Sequence, residues 1–282
     1  MKNLIRLLCF MMFLAISITA QKIDFPKLNG PYLGQKPPGN IPEVFAPEII
    51  STKEYKEFSG TFTPDGKEYY FFRLGEDAGL MECKLTRDGW TAPWPVQFKS
   101  SYIDYEPHIT YDGNLFFFSS NRLFPGCGEG RLPMQVWMMR KMDDAWSGPI
   151  HLRMGMAATS TEDDRIYIGS SIYELNNDSL VSVGEIIYNN SVEPSYRLPS
   201  NHTCISKDES FCLFDYKETL YVNFRGKDDK WNKPINLNES FNLNGAIILP
   251  TLSPDNKYIF FSYKGDIYWV SASIIEILKQ KE

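Results

Sequence analysis

The stretch IDYEPHITYDGNLFFFSSNR, Ile103–Arg122, decides the fold of this chain. It has a polar beginning, a turn at Asp112-Gly113, an apolar run at Leu115–Phe118 and a polar tail. Glycine accepts a positive φ angle without steric hindrance, so an Asp-Gly pair between two short apolar segments is typical of a tight turn. The stretch therefore predicts a β-hairpin.

Four further stretches repeat this pattern: Gly60–Arg73 (GTFTPDGKEYYFFR), Ala158–Ser170 (ATSTEDDRIYIGS), Thr203–Lys217 (TCISKDESFCLFDYK) and Pro250–Lys264 (PTLSPDNKYIFFSYK). Their turns are centred on Asp65, Asp112, Asp163, Asp208 and Asp255, which lie 47, 51, 45 and 47 residues apart. Strand-type repeats with a period of roughly 40–50 residues are the signature of a β-propeller. The aspartates are interpreted as turn-forming residues, because their side chains accept hydrogen bonds from nearby backbone amides.

Each repeat has a second half, in which an alternating strand is followed by the motif Trp-x-x-Pro. The motif occurs at Trp90, Trp146 and Trp231, while the third repeat has only Glu193-Pro194. Proline cannot donate to a central ladder, so the motif predicts the outermost strand of a blade. We expect the tryptophans to pack between neighbouring blades; sugar-stacking platforms are the alternative.

The two ends of the chain complete this architecture. Residues 1–20 combine Lys2 and Arg6 with a short apolar run and predict a cleaved signal peptide. Residues 21–44 form an extended lead-in rich in Pro and Gly, and residues 45–282 form a single domain. The last repeat lacks Trp-x-x-Pro, so Phe45–Ile50 is expected to supply its outer strand and close the ring. The prediction is an all-β propeller of five blades with about four antiparallel strands each; six blades are the alternative.

Charge and cysteine content narrow the class of protein further. The formal net charge is −6, or −8 without the two basic residues of the predicted signal peptide, and basic residues form no run. Nucleic acid is therefore not an expected partner. Cys204 and Cys212 flank Asp208 on the two arms of one hairpin, so a disulfide and two free buried thiols both remain open. The absence of a Cys-x-x-Cys pair argues against a zinc site.

Several motifs resemble those of a known family. Thr63–Lys67 (TPDGK), Ser253–Lys257 (SPDNK) and Ser119–Arg122 (SSNR), together with the Trp-x-x-Pro strands, look like the WD40-like PD40 repeat of TolB-type propellers of the exported bacterial kind. The resemblance covers about residues 30–278 and is weakest in the third and fourth repeats. It implies a propeller that serves as a binding platform.

Polar residues at the beginnings of the innermost strands are the candidate binding residues. They are Glu57, Asp104, Glu106, His108 and His202; Arg122 is a further candidate, which lies beside the insertion Leu123–Pro133 and could bind an acidic ligand. Glu57, Asp104 and Glu106 are expected to converge with His202 near the channel. Two carboxylates at a suitable separation could carry out glycoside hydrolysis, so a carbohydrate-active enzyme is the alternative function. No catalytic residue, metal site or cofactor is assigned.

The predicted function is recognition without catalysis. We expect an exported, monomeric binding or scaffolding propeller, periplasmic or secreted, that does not insert into the membrane after signal cleavage. Its expected partner is an envelope protein or peptide, or a glycan. Recognition would use a preformed channel mouth and the rim loops.

Overall fold

The computed structural model describes residues 25–128, 132–186, 202–227 and 230–280. The predicted signal peptide, residues 1–20, and the Glu193-Pro194 pair lie outside these ranges. The described residues form five small antiparallel sheets. Consecutive sheets contact one another around a central axis, so the fold is the predicted five-bladed β-propeller, and no sixth sheet occurs in the described part of the chain.

Blades 1 and 2 have the same construction, with three long strands and a fourth that is split into two short pieces. Blade 1 consists of β2 (Lys56–Phe62), β3 (Glu68–Leu74), β4 (Gly79–Thr86), β5 (Gly89–Trp90) and β6 (Trp94–Pro95), and both short pieces pair with β4. Blade 2 consists of β7 (Asp104–Ile109), β8 (Leu115–Ser120), β9 (Gln135–Met142), β10 (Ala145–Trp146) and β11 (Ile150–Met154). The proline of Trp-x-x-Pro lies between the two pieces. The motif thus marks the outer strand, as predicted, and also interrupts it.

Blades 3 and 4 each have four strands. Blade 3 consists of β12 (Ala158–Ser160), β13 (Ile166–Ile168), β14 (Ser171–Asn176) and β15 (Ser179–Glu185). Blade 4 consists of β16 (Thr203–Ile205), β17 (Phe211–Tyr216), β18 (Thr219–Phe224) and β19 (Ile235–Asn236), followed by helix α1 (Leu237–Phe241). Blade 3 therefore builds its outer strand from β15, which has no Trp-x-x-Pro motif.

Blade 5 joins the two ends of the described chain. It consists of β20 (Ile247–Leu252), β21 (Tyr258–Tyr263), β22 (Asp266–Ser271) and, from the lead-in, β1 (Glu43–Val44). Helix α2 (Ser273–Lys279) follows β22, and a short 3-10 helix (Tyr32–Gly34) precedes β1. Closure by an N-terminal strand is confirmed, but the predicted strand Phe45–Ile50 is wrong in its bounds. Only Phe45 continues the pairing, through its N–H to the Ile267 carbonyl at 2.8 Å, and a turn follows it.

The core is divided into five clusters, one at each interface between blades. The second strand of each blade is buried on both faces, so it reads as a continuous apolar run. In blade 1, Tyr69 and Phe71 pack towards blade 5 and the lead-in, whereas Tyr70 and Phe72 pack towards blade 2. No blade has a core of its own.

The tryptophans of the Trp-x-x-Pro motif lie at these interfaces, as predicted. Trp146 packs edge-on against Phe116 of its own blade and its Nε1 donates to the Tyr70 hydroxyl of blade 1 at 3.3 Å. Trp231 belongs to the cluster between blades 3 and 4. Trp90 packs in the cluster between blades 5 and 1 and donates to the Gly30 carbonyl of the lead-in at 2.8 Å. These contacts make the motif a packing element.

The open question about Cys204 and Cys212 is settled by the strand register. Cys204 pairs with Leu213, and Cys212 pairs with Ile205. Side chains alternate across a strand, so the two thiols point to opposite faces of the sheet and belong to different core clusters. None of the four cysteines in the described part of the chain forms a disulfide.

The turn aspartates share one hydrogen-bond pattern. In blade 2, Asp112 Oδ1 accepts from the Thr110 hydroxyl at 2.5 Å and from the Asn114 N–H at 3.0 Å, while the Leu115 N–H donates to Thr110 Oγ1 at 3.0 Å. Blades 1, 4 and 5 repeat this arrangement around Asp65, Asp208 and Asp255. Burial raises the pKa of these carboxyls, but the hydrogen bonds outweigh it and the net shift is downwards. Their interpretation as turn residues is confirmed.

Candidate functional site

The innermost strands β2, β7, β12, β16 and β20 surround the axis. They begin at one face of the propeller, which we call the start face, and end at the five aspartate turns, which define the turn face. Five residues occupy the same place near the beginning of each strand, six positions before the turn aspartate: Ser59, Glu106, Ala157, His202 and Leu249. Four of them have φ angles between 41° and 58°, a conformation that strains residues other than glycine.

Hydrogen bonds between blades hold this strained backbone. The backbone N–H groups of three of the residues donate to side chains on the second strand of the preceding blade: Ser59 to Ser262 Oγ (3.2 Å), Ala157 to Ser119 Oγ (3.0 Å) and Leu249 to Asp215 Oδ2 (2.7 Å). All three acceptors lie seven positions after a turn aspartate. Asp215 thus stands where blades 2 and 5 have serine, and it adds a negative charge there.

Glu106, His202 and Asp215 form what we call the axial ion cluster. His202 Nε2 lies 3.0 Å from Glu106 Oε1, and its Nδ1 lies 2.7 Å from Asp215 Oδ2. Glu106 Oε2 also accepts from the Ser119 hydroxyl at 2.6 Å and from the Ala157 N–H at 2.9 Å. The cluster connects blade 2 to blade 4 across the axis, past the small Ala157 of blade 3.

The imidazole of His202 is protonated at neutral pH. Burial lowers its pKa, but the hydrogen bonds that the ring donates to the two carboxylates outweigh burial and raise the pKa to about 10. The ring therefore cannot serve as a general base near neutrality, and it is held as a cation between two anions. The arrangement is that of a structural ion cluster.

His108 was predicted alongside these residues, but it lies deeper in the channel and does not join them. Its Nε2 is 2.8 Å from the Ser160 hydroxyl of blade 3. The surface that it exposes faces the enclosed channel, and burial lowers its pKa to about 4. His108 is therefore neutral and forms a contact between blades 2 and 3.

The expected convergence of Glu57 and Asp104 with His202 is wrong, because each carboxylate is paired with an arginine of its own blade. Asp104 receives two bonds from Arg122, at 2.8 Å from Nε and 2.6 Å from Nη2. Arg122 also donates to the Phe98 carbonyl at 2.9 Å and lies over the Phe118 ring. The pair is buried, with 12% of the Arg122 side chain and 3% of the Asp104 side chain exposed. Arg122 is thus fully engaged within the protein.

Glu57 has an equivalent place in blade 1. It is 3.3 Å from Arg73 Nε and accepts from the N–H and the hydroxyl of Thr52, at 3.2 and 3.0 Å. Burial raises its pKa even though these partners lower it. Of the six predicted residues, the structure brings together Glu106 with His202 and, separately, Asp104 with Arg122. A ligand-binding role for the six stays a prediction.

The channel is narrow, and side chains cross it near both faces. Its cavity volume is about 40 Å³, enough for a few water molecules. The axial ion cluster crosses it near the start face. Near the turn face, Tyr111 of blade 2 reaches across to blade 5, where its hydroxyl donates to Asn256 Oδ1 at 3.2 Å. The channel therefore offers no space for a sugar or a peptide.

A wide depression of about 860 Å³ lies outside this contact, on the turn face. We call it the turn-face depression; turns of all five blades and the 3-10 helix of the lead-in line it, including Tyr32, Phe62, Lys67, Tyr111, Glu162, Lys207 and Asp255. The partly exposed rings of Tyr32 and Tyr111 thus lie in the same depression as charged groups of both signs. Its size lies within the roughly 300–1,000 Å³ typical of ligand pockets.

Sequence reasoning missed Tyr32, Tyr111 and Asp215. Tyr32 lies in a Pro/Gly-rich segment without strand periodicity. Tyr111 and Asp215 are at fixed offsets from the turn aspartate, so an alignment of the five repeats would have revealed their departures from the other copies.

The residues described here contain no group of three or more His, Cys, Asp or Glu side chains that could hold a metal ion. Within the same residues, no helix is long and apolar enough to cross a membrane.

Comparison with known proteins finds structures that are similar to this chain at low sequence identity. No protein-family model matches the chain, and no curated protein matches its sequence. A protein of unknown function from Dyadobacter fermentans is 11% identical, with 83% of this chain and 82% of that chain covered and a TM-score of 0.48. A protein described as TolB from Agrobacterium tumefaciens is 13% identical, with 75% and 71% covered and a TM-score of 0.43.

The hydrazine synthase of Kuenenia stuttgartiensis is also similar, at 14% identity and a TM-score of 0.41. The match covers 76% of this chain and spans 58% of the length of that chain. At such low identities and TM-scores, the neighbours carry no argument about what this chain binds or does.

Proposed function

We propose that this chain is an exported, non-enzymatic binding or scaffolding propeller that recognises an envelope protein or peptide on the turn face. The observation that carries the proposal is the contrast between the narrow channel and the wide turn-face depression. The channel has a volume of about 40 Å³, enough for only a few water molecules, whereas the depression offers about 860 Å³ and is lined by residues of all five blades. A surface built from five rigid hairpin turns is preformed, which lowers the entropy lost on binding.

The carbohydrate-active enzyme is not favoured by the geometry. Glycoside hydrolysis needs two carboxyl groups on either side of one substrate bond. Glu106 is held by His202, Ser119 and Ala157, and Asp104 is held by Arg122. Neither carboxylate faces a space in which a sugar could lie.

The proposal is tested by blocking the depression sterically. Pro31 is exposed at its edge, and Pro31→Trp would place a large ring over it. Pro37→Trp is the matched control, because Pro37 is an exposed proline of the same lead-in that lies outside the depression. Protein from residue 21 onwards serves as bait in envelope and culture-medium fractions, and captured partners are purified and titrated against each variant.

We expect the unchanged protein and Pro37→Trp to bind the same partner, and Pro31→Trp to weaken this binding at least tenfold. Equal binding by both variants would show that the turn face is not the recognition surface. Turnover of a glycoside by the purified protein would restore the enzymatic alternative.

A further inference from the structure

Trp94 has an unusual position for a tryptophan. It is 70% exposed, whereas Trp90 and Trp231 of the packing motif are 3% and 6% exposed. It lies in β6, on the outer edge of blade 1, between Pro93 and Pro95. The two prolines restrict the backbone on both sides of it. The ring is thus presented to solvent from a rigid support.

The strand register places Trp94 beside polar groups. Trp94 pairs with Glu82 of β4, and Glu82 pairs with Tyr70 of β3. Directly paired residues point to the same face of a sheet, with Cβ atoms about 4.5–5.5 Å apart. Trp94, Glu82 and Tyr70 therefore form a row across the face of blade 1 that is turned towards blade 2.

A cleft of about 240 Å³ lies on this face, between blades 1 and 2; it is lined by Glu68, Tyr70, Glu82, Lys84, Gln97, Phe98, Lys141, Asp144, Ala145 and Trp146. We call it the blade 1–2 cleft. The Tyr70 hydroxyl donates to Glu68 Oε2 at 2.5 Å, and Lys84 Nζ lies 3.3 Å from Glu82 Oε2. Gln97 is exposed and makes no hydrogen bond to any of the residues that the structure describes.

We propose that the blade 1–2 cleft and Trp94 form a binding site for a neutral saccharide. A sugar ring has an apolar face of C–H groups and an edge of hydroxyl groups. The exposed indole matches the apolar face, and the carboxylates, the ammonium group and the free amide of Gln97 match the hydroxyls. Three carboxylates and two lysines line the cleft, so its charge is nearly balanced and a polyanion is disfavoured.

The polar lining also separates this site from a protein-binding surface. Buried anchors of protein interfaces fill apolar pockets that become fully desolvated. The blade 1–2 cleft instead presents polar and charged groups that pair with one another, Tyr70 with Glu68 and Lys84 with Glu82. Such a lining exchanges bonds readily with hydroxyl groups.

The cleft has room for more than one sugar unit. It continues into a groove of about 480 Å³ between the hairpins of blades 1 and 2, with which it shares Glu68, Lys84, Lys141 and Trp146. An oligosaccharide is therefore a better fit than a monosaccharide. The cleft does not rest on the proposed function, because none of its lining residues borders the turn-face depression. Only the adjoining groove shares residues with the depression, among them Asp65, Lys67 and Asp112.

Isothermal titration with cellohexaose, maltohexaose, xylohexaose, mannohexaose and chitohexaose tests the proposal. We expect the protein without substitutions to bind at least one of these sugars. Trp94→Ala should weaken that binding at least tenfold and Gln97→Ala about threefold. Met154→Ala is the matched control, because Met154 is 62% exposed on the outer strand of blade 2, and it should leave affinity unchanged. Since Trp94 is exposed, its replacement should leave the urea midpoint unchanged.

Pro31→Trp separates this proposal from the previous one. Saccharide binding should persist in Pro31→Trp even where the protein partner is lost. The proposal is overturned if none of the five sugars binds, or if Trp94→Ala binds as well as the unchanged protein. It is also overturned if Trp94→Ala abolishes capture of the protein partner, because Trp94 would then belong to a protein interface.

Discussion

At the scale of single residues, two histidines near the axis have opposite charge states. His202 is a cation between two carboxylates, and His108 is neutral against Ser160. Their pKa values lie on either side of the ordinary value of 6.5, at about 10 and about 4. The stability of the fold should therefore fall on both sides of a maximum near pH 6.5.

The loss of stability above pH 6.5 is caused by His202. Because its pKa is raised in the folded state, its contribution is fully present below pH 6.5 and is lost as pH rises towards 10. The free energy of unfolding should decrease by up to about 1.4 kcal/mol per pH unit in this range. His202→Gln should remove this slope and destabilise the protein by about 3–5 kcal/mol at pH 7, since it leaves two buried carboxylates without their cation. Urea unfolding at pH 6.5, 8 and 9.5 checks both; a variant with an unchanged slope would contradict the ion cluster.

The loss of stability below pH 6.5 is caused by His108. The unfolded chain protonates this imidazole below pH 6.5, while the folded protein keeps it neutral down to about pH 4. The unfolded state then binds more protons, so stability falls as pH decreases through this window. His108→Gln should flatten the acid limb of the urea midpoint between pH 6.5 and 4. His151→Gln, at a less buried ring, is the control and should change the limb less.

At the scale of residues, sequence reasoning found His202 and Glu106 but gave Glu57 and Asp104 the wrong neighbours. Both carboxylates occur eight positions before a turn aspartate, so their common place was visible in the sequence. Their partners, Arg73 and Arg122, are 16 and 18 residues away along the chain, on or just after the adjacent strand. Only the hairpin register brings them close, and a pattern of polar residues does not specify which side chains a register pairs.

At the scale of elements, the turn unit is the most local structure and was the most predictable. Thr110→Val removes the hydroxyl that donates to Asp112 and accepts from the Leu115 N–H. We expect a loss of about 1–3 kcal/mol in the free energy of unfolding, because a backbone amide loses its partner. In blade 3, Thr161 accepts from the Arg165 N–H and has no bond to Asp163. Thr161→Val should therefore destabilise the protein less, and equal losses in urea unfolding would argue against a role for the aspartate.

The closing strand was predictable in kind but not in position. Its pairing is made by the backbone of Glu43 and Val44, and the motif-like FAPEII that follows contributes side chains instead. Phe45 is completely buried against Phe62, Tyr69, Phe260 and Trp269. The apolar pattern of Phe45–Ile50 thus correctly indicated buried side chains. The strand itself is formed by the two residues that precede this segment.

Phe45 should be essential for closure. Phe45→Ala is expected to lower the free energy of unfolding by about 3–5 kcal/mol, because it leaves a cavity where blade 5, blade 1 and the lead-in meet. Ile41→Ala is the control in the same segment; Ile41 is 76% exposed, so the change should stay within about 0.5 kcal/mol. Chemical unfolding of both variants measures the difference. A small loss for Phe45→Ala would mean that the ring holds without the lead-in.

At the scale of the whole molecule, each core cluster is shared by two blades, so the blades should unfold together. Phe116→Ala lies in the cluster between blades 1 and 2, and Leu213→Ala in the cluster between blades 4 and 5. Each should lower the urea midpoint by an amount that corresponds to about 2–5 kcal/mol. Circular dichroism and tryptophan fluorescence should report one coincident transition for both variants. Two separated transitions would show that some blades are stable alone.

The whole-molecule architecture followed from the sequence because the repeat period and the local turn chemistry recur five times. The finer contacts did not follow, because they join residues of different blades. Tyr111 and Asn256, which meet across the channel, are 145 positions apart, and Glu106 and His202 are 96 positions apart. Pairs of this kind depend on how the ring closes, which no single repeat encodes.

The axial ion cluster joins two blades that are not neighbours in the ring. Glu106 and His202 connect blades 2 and 4 directly, over the methyl group at Ala157. Blade 3 is also the one with an aberrant turn and an outer strand whose side chains are mostly exposed. Because blades 2 and 4 contact each other directly, the outer part of blade 3 contributes little to ring closure. We therefore expect insertions to be tolerated best in the outer part of blade 3, so that a new surface could be grafted onto that blade without opening the ring.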